Sequence, residues 1–161
     1  MNLRAIIFCL MYSFSLFGLE ISCPDQWQEK QNLQQGVLKQ CFSKDRVDGF
    51  VPNMNITQLK VSTLELTKHP SPKDICNYIP DAQKRLFPLY KVITSKELTI
   101  GKIRGSLIVA SYARGKADMC AYQFIFVDND DLYTVVYSCA LASFKALKSE
   151  FETSLKTLRK E

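Results

Sequence analysis

Two runs rich in aromatic and β-branched residues, 119–127 and 132–140, flank the turn cluster Asp128-Asn129-Asp130-Asp131. Such a pattern predicts a β-hairpin. A two- or four-residue loop sets Val127 opposite Leu132 and Cys120 opposite Cys139. One face then carries Tyr122, Phe124, Phe126, Tyr133, Val135 and Tyr137. The other carries Met119, Ala121, Ile125, Val127, Leu132 and Val136. A strand pair apolar on both faces predicts cover on both sides.

The rest of the pattern supplies strands before the hairpin and a helix on either side of the strand run. Leu19 to Cys23 alternates and reads as a short strand ending at Pro24; Gln28 to Gln35 is polar and loop-like. Val37 to Ser43 alternates again, and Asn55 to Val61 reads as a strand with Ile56, Leu59 and Val61 apolar. Ser71-Pro72-Lys73-Asp74 is a helix start, with Ser71 at the N-cap, Pro72 in the first helical position and Asp74 completing a capping box. Ile75, Ile79, Ala82 and Leu86 follow at helical spacing, Pro80 should kink or split the helix, and Pro88 ends it. Tyr90 to Ile100 and Ile103 to Tyr112 read as strands around Gly101. Phe144, Leu147, Phe151, Leu155 and Leu158 mark a closing amphipathic helix. Runs of strands with segregated helices argue an α+β fold on a mostly antiparallel sheet of about six to seven strands.

The first 18 residues stand apart. Arg4 precedes an uncharged run from Ala5 to Phe17. That run is shorter than the roughly 20 residues a spanning helix needs. It fits a secretory signal peptide cut after Gly18, leaving residues 19–161 as one domain. Retention of the segment as a membrane anchor, or its burial as a helix, are the competing readings. A lipoprotein reading puts lipid on Cys23, although Glu20 occupies the place where such sites prefer Leu. Membrane attachment therefore enters only through a lipidated Cys23 or an uncleaved leader.

Removing Arg4 leaves 20 basic and 16 acidic residues, a net charge of +4. The charges are dispersed, and Glu150 and Glu152 interrupt the lysines of the last helix. Nucleic-acid binding wants a continuous basic stripe with interleaved aromatics, so no nucleic-acid partner is expected.

Cleavage leaves five cysteines: Cys23, Cys41, Cys76, Cys120 and Cys139. Without a Cys-x-x-Cys pair, and with His69 as the one histidine, a zinc site is not expected. Opposed Cα atoms lie about 4.5–5.5 Å apart in an antiparallel pair, within the span a disulfide accepts. Cys120 and Cys139 therefore form either a cross-strand disulfide or two small buried thiols. Cys23 with Cys41 is a second candidate pair, whose register the sequence does not fix. An odd count leaves at least one thiol free or bonded between chains.

No nucleophile elbow, phosphate-binding Gly-rich loop, dinucleotide fingerprint or His-Glu-x-x-His occurs, so no enzymatic activity and no cofactor are expected. His69 precedes Pro70 in a loop. Asp128, Asp130 and Asp131 offer oxygen ligands for calcium, but a short hairpin tip does not supply six, and these are ordinary turn residues. Trp27 reads as a rim residue over one end of the core.

Pro24-x-x-Trp27, Phe50-x-Pro52-Asn53-Met54-Asn55-Ile56, Gly105 with Tyr112, Tyr122-Gln123-Phe124, Tyr133 to Tyr137, and Phe144 with Phe151 follow one another in an order spread over nearly the whole chain after residue 18. This order resembles the family of the photosystem II extrinsic subunit PsbP. Its fold is shared by DcrB-like periplasmic lipoproteins and the Ran-binding nuclear import factor. The resemblance implies a central antiparallel sheet with helices on both faces. The five cysteines and Pro80 depart from the family's pattern, and none of its metal- or partner-binding residues has a counterpart here. The resulting expectation is an exported, periplasmic or secreted binding or accessory protein with an envelope protein partner. The alternative is a small apolar-ligand or lipid carrier, requiring a pocket of about 300 Å³ or more lined by Tyr122, Phe124 and Tyr137. A third class, an enzyme built on His69 or a free thiol, would need a second titratable group beside it.

Overall fold

The computed structural model describes residues 18–67 and 69–160. The expected leader, residues 1–18, lies outside them apart from Gly18. The strands are β1 Leu19–Glu20, β2 Gln28–Glu29, β3 Val37–Phe42, β4 Asn53–Lys60, β5 Lys91–Ile100, β6 Ile103–Arg114, β7 Ala117–Asp128, β8 Asp131–Ala140 and β9 Arg159–Lys160. The two α-helices are α1, Pro72–Leu86, and α2, Phe144–Leu155. Seven strands form one antiparallel sheet in the order β2-β3-β4-β8-β7-β6-β5, and β1 pairs with β9 in a small second sheet. The β7–β8 hairpin has the expected register, with Val127 opposite Leu132 and Cys120 opposite Cys139. Asn129 makes its turn at φ 55°, a left-handed conformation that Asn tolerates.

The sheet sorts its side chains into two clusters. Phe124, Phe126, Tyr133, Val135, Tyr137, Met54 and Ile56 pack with Phe151 and Leu155 of α2. Ile108, Ile125 and Leu132 pack with Ile75 and, at the edge, Ile79 of α1. Alternation along β7 separates the two sets, because successive strand residues point to opposite sides. Gly105 serves the aromatic cluster. A Cβ there would lie 2.5 Å from the Ile125 carbonyl oxygen and 2.7 Å from the Phe124 ring. Glycine lets that ring lie down on the strand.

Helix α1 starts as expected. The Ser71 hydroxyl accepts from the Asp74 amide (3.2 Å), and the Asp74 carboxylate accepts from the Ser71 amide (2.8 Å). The Ser71 hydroxyl also donates to the Asp74 carboxylate at 2.7 Å, and this bond, with that from the Ser71 amide, holds the Asp74 carboxyl below its ordinary pKa. The expected break at Pro80 does not occur: α1 is continuous through Leu86. Pro80 has no amide hydrogen for the carbonyl four residues earlier, that of Cys76. The Ser95 hydroxyl of β5 donates to this oxygen at 3.1 Å and replaces the missing partner.

Other expectations shift. The strand predicted from Asn55 begins at Asn53 and ends at Lys60, so Leu59 is 49% exposed and Met54 takes the buried place. Val61 opens a 3-10 turn instead. Leu158, expected on the closing helix, lies beyond it: α2 stops at Leu155, and Leu158 enters the core from the segment leading to β9. Gln28–Glu29, read as loop, pairs with β3.

The segment after Gly18 is strapped down. Ile21 is buried in the aromatic cluster. The Tyr137 hydroxyl donates to Ser154 Oγ (2.8 Å), which donates to the Ser22 carbonyl (2.6 Å). The Ser22 amide in turn donates to Thr157 Oγ1 (2.8 Å).

Candidate functional site

Cys23 and Cys41 form a disulfide that joins the strapped segment to β3 and spans 18 residues of sequence. Cys120 and Cys139, which their register leaves between a bridge and two thiols, are unbridged. The two residues are opposed and wholly buried, but their sulfurs are free. Register is necessary for a cross-strand bridge, not sufficient. Here the pair fills core volume as two thiols, and the neighbouring Cys139 sulfur, with burial, pushes the Cys120 pKa up. Cys76 is also free.

The remaining sequence candidates do not converge. His69 is exposed in the loop before α1. Asp131 and Asp128 are held by Lys60 (2.7 Å) and Lys160 (2.6 Å), so the hairpin tip is an ion-pair site. No cluster of three His, Cys, Asp or Glu side chains suited to a metal occurs among the described residues. Trp27 sits edge-on to Phe151, with ring centres 6.1 Å apart.

The aromatic face is core. Tyr137 stacks on Phe151 at 4.9 Å, and Tyr122 meets both. Burial pushes the Tyr122 pKa up to about 12, with the Glu152 charge adding to the effect. A cleft of about 410 Å³ opens between β5 and α2, lined by Leu98, Ile100, Leu107, Tyr122 and Leu155, with Lys96 and Lys156 among its polar lining. It reaches Tyr122 but not Phe124 or Tyr137.

A different surface collects unspent polar groups. Helix α1 lies against β5, β6 and β7. On β4, buried Met54 and Ile56 alternate with half-exposed Asn53, Asn55 and Thr57, which pair in register with half-exposed Ser138, Val136 and Thr134 of β8. Gln40 of β3 donates from Nε2 to Asn55 Oδ1 at 2.6 Å. Asn55 Nδ2 donates to Asn53 Oδ1 at 3.1 Å, and Asn53 Nδ2 to the Val51 carbonyl at 3.2 Å. This amide ladder is preorganised and runs across two strands. Each amide nitrogen keeps a second N–H for another acceptor. Gln123 marks the border of the open half. It is nearly buried and exchanges hydrogen bonds with Gln83 of α1 at 2.8 and 3.1 Å. The ladder was not foreseen, although the alternation of Asn53 and Asn55 with Met54 and Ile56 carries it.

No protein-family model matches the chain, and no curated protein matches it by sequence. Solved structures match it in fold. Cyanobacterial PsbP (CyanoP) from Synechocystis sp. PCC 6803 superposes with a TM-score of 0.65 at 15% identity, covering 93% of this chain and 91% of that one. The fold is PsbP-like. Two further proteins share the PsbP-like architecture. LpqN of Mycobacterium tuberculosis, described as involved in cell envelope biogenesis, gives 0.63 at 9% identity, covering 87% and 81%. The Saccharomyces cerevisiae Ran-binding protein Mog1p gives 0.59 at 6% identity, covering 88% and 89%.

Proposed function

We propose that this chain is an exported, non-catalytic binding or accessory protein of the cell envelope, presenting the open half of its sheet to a protein partner. The observation that carries this reading is the half-exposed amide ladder Gln40–Asn55–Asn53, set on strands whose other face is locked into the aromatic core. A rigid array of amide donors and acceptors pairs with polar groups at low ordering cost. The PsbP-like fold supports the class of role: LpqN is tied to the envelope and Mog1p to a protein partner. Fold alone constrains function loosely.

Export is supported by two features. The Cys23–Cys41 disulfide belongs to an oxidising compartment. The uncharged run Ala5 to Phe17 has signal-peptide character. Cleavage after Gly18 then leaves one domain, residues 19–161, and amino-terminal sequencing of the exported protein should begin at Leu19.

The cleft between β5 and α2 supports the second reading, a carrier of small apolar ligands. One experiment separates the two. The protein, isolated from its native envelope by crosslinking, is analysed for both proteins and lipids. A protein crosslinked to the native chain and lost from N55R and V136R variants is the expected result. Lipid without protein would favour the cleft. A protein recovered equally with both variants would remove the open face from the proposal.

A further inference from the structure

The most exposed apolar side chains concentrate at the turn between α1 and β5. Leu86 is 74% exposed and Leu89 76%, with Phe87, Val92 and Ile93 exposed beside them; outside this stretch Leu59 and Leu141 stand singly. A contiguous apolar patch of this kind marks an interaction site, whereas scattered ones do not.

The turn is fixed, not loose. The Phe87 amide donates to the Gln83 carbonyl at 2.9 Å, and the Ala113 amide of β6 donates to the Pro88 carbonyl at 2.8 Å. The Phe87 ring rests on Tyr112, centre to centre 5.0 Å. Leu89 is held at φ 55°, a left-handed conformation unfavourable for leucine. Strain in a residue that buries nothing is retained for what it displays.

The surround is cationic. Lys84 and Arg85 precede the tip and Lys91 follows it. Arg114 is next to Ala113, and Lys116 lies in the adjoining turn. None of the five forms an ion pair with another described residue. Asp81 and Asp118 are the nearby acids by sequence, and Arg85 also borders a cleft that holds Glu65, Asp74 and Asp81. Leucines projecting from a turn inside a basic ring suit a surface that is negative outside and hydrocarbon beneath.

We infer that this tip docks the protein on an anionic lipid bilayer, with Leu86, Phe87 and Leu89 entering the interface and the five cations facing the headgroups. This membrane contact requires neither lipid on Cys23 nor a retained leader, and it is independent of the partner-binding face on β3, β4 and β8.

The test is co-sedimentation of the protein comprising residues 19–161 with vesicles of phosphatidylcholine, with and without phosphatidylglycerol. Binding should require phosphatidylglycerol and weaken as salt is raised. Each of K84E, R85E and K91E should lower the partition coefficient about fivefold or more, since one basic residue at such a surface is worth about 1 kcal/mol. L86S and L89S should each lower it at least about tenfold while leaving Tm no lower than in the parent, because these side chains are exposed. L89N should bind weakly yet melt higher, because Asn accepts the left-handed backbone. Failure of the parent chain to sediment with anionic vesicles overturns the inference. So does equal binding by L86S and L89S, or a vesicle-free self-association that those two substitutions abolish, which would make the tip an interface between copies.

Discussion

The two packing clusters of the sheet are built on different principles. Under α2, aromatic rings meet in two groups, Phe151 with Tyr137 and Tyr122, and Phe126 with Phe124 and Tyr133, within one cluster with almost no exposed surface. Under α1 the apolar contact is small, and side-chain hydrogen bonds do much of the joining. Ser106 donates to the Pro72 carbonyl at 2.7 Å, Ser95 to the Cys76 carbonyl, and Gln83 is bonded by both Gln123 and the Tyr90 hydroxyl. Beyond that helix the same side lies half open, carrying the amide ladder. Apolar burial scales with area, while a hydrogen bond adds only about 1 kcal/mol net. One side thus holds the fold, and the other has groups to spare for binding.

Mutations can break this contrast. Phe151→Ala should cost the most, about 3–5 kcal/mol, read by denaturant unfolding. If it costs no more than a substitution at half-exposed Val136, the asymmetry is wrong. Next, reduction of Cys23–Cys41, or C23S/C41S, should remove about 3 kcal/mol by returning conformational entropy to the unfolded chain. Thiol titration of the denatured, unreduced chain 19–161 should count Cys76, Cys120 and Cys139 as free. Gly105→Ala should cost about 1–3 kcal/mol, because the backbone carbonyl of Ile125 cannot retreat as a side chain could. Ser95→Ala, on the α1 side, should cost about 1 kcal/mol by leaving the Cys76 carbonyl without its partner. Hydrogen exchange in the middle of α1 should quicken in that variant.

One effect appears only in alkali. Burial raises the pKa of Tyr122 and Tyr90 to about 12, and raises that of Tyr137 although its bond to Ser154 opposes the shift. An unfolded tyrosine titrates near pH 10. The neutral phenol is therefore favoured by folding. Stability from these groups is full below about pH 10 and is lost as pH climbs towards 12. Tyr122→Phe should flatten part of that decline without moving the neutral-pH curve in the same way.

The hairpin and its register were legible because two strongly patterned strands share a short polar turn, and only one register keeps Val127 on Leu132. The capping box was legible for the same local reason. Continuity of α1 was not: Pro80 removes a donor in sequence, while its replacement, Ser95, arrives from another strand. Helical spacing carried Leu158 into α2 because periodicity does not record where a helix ends. Cysteines 120 and 139 show a limit of register, which brings sulfurs near without saying whether they bond. The candidate surface was the least visible part. Half-exposed Asn53 and Asn55 become a ladder only when Gln40 and β8 lie beside them and α1 stops short.

The order of strands also sets a timetable. β8 occupies the middle of the seven-stranded sheet, between β4 and β7. Residues 53–60 of β4 find their partners in residues 131–140, near the end of the chain. As the polypeptide is made from its amino terminus, β3 and β4 must wait with an open edge until β5, β6, β7 and then β8 have emerged. Such long-range closure is slow, and the waiting edge is prone to pair wrongly. The seven-stranded sheet is therefore closed by β8, the last of its own strands in chain order, and a truncation just before Asp131 would strand the first half of the sheet without its seam.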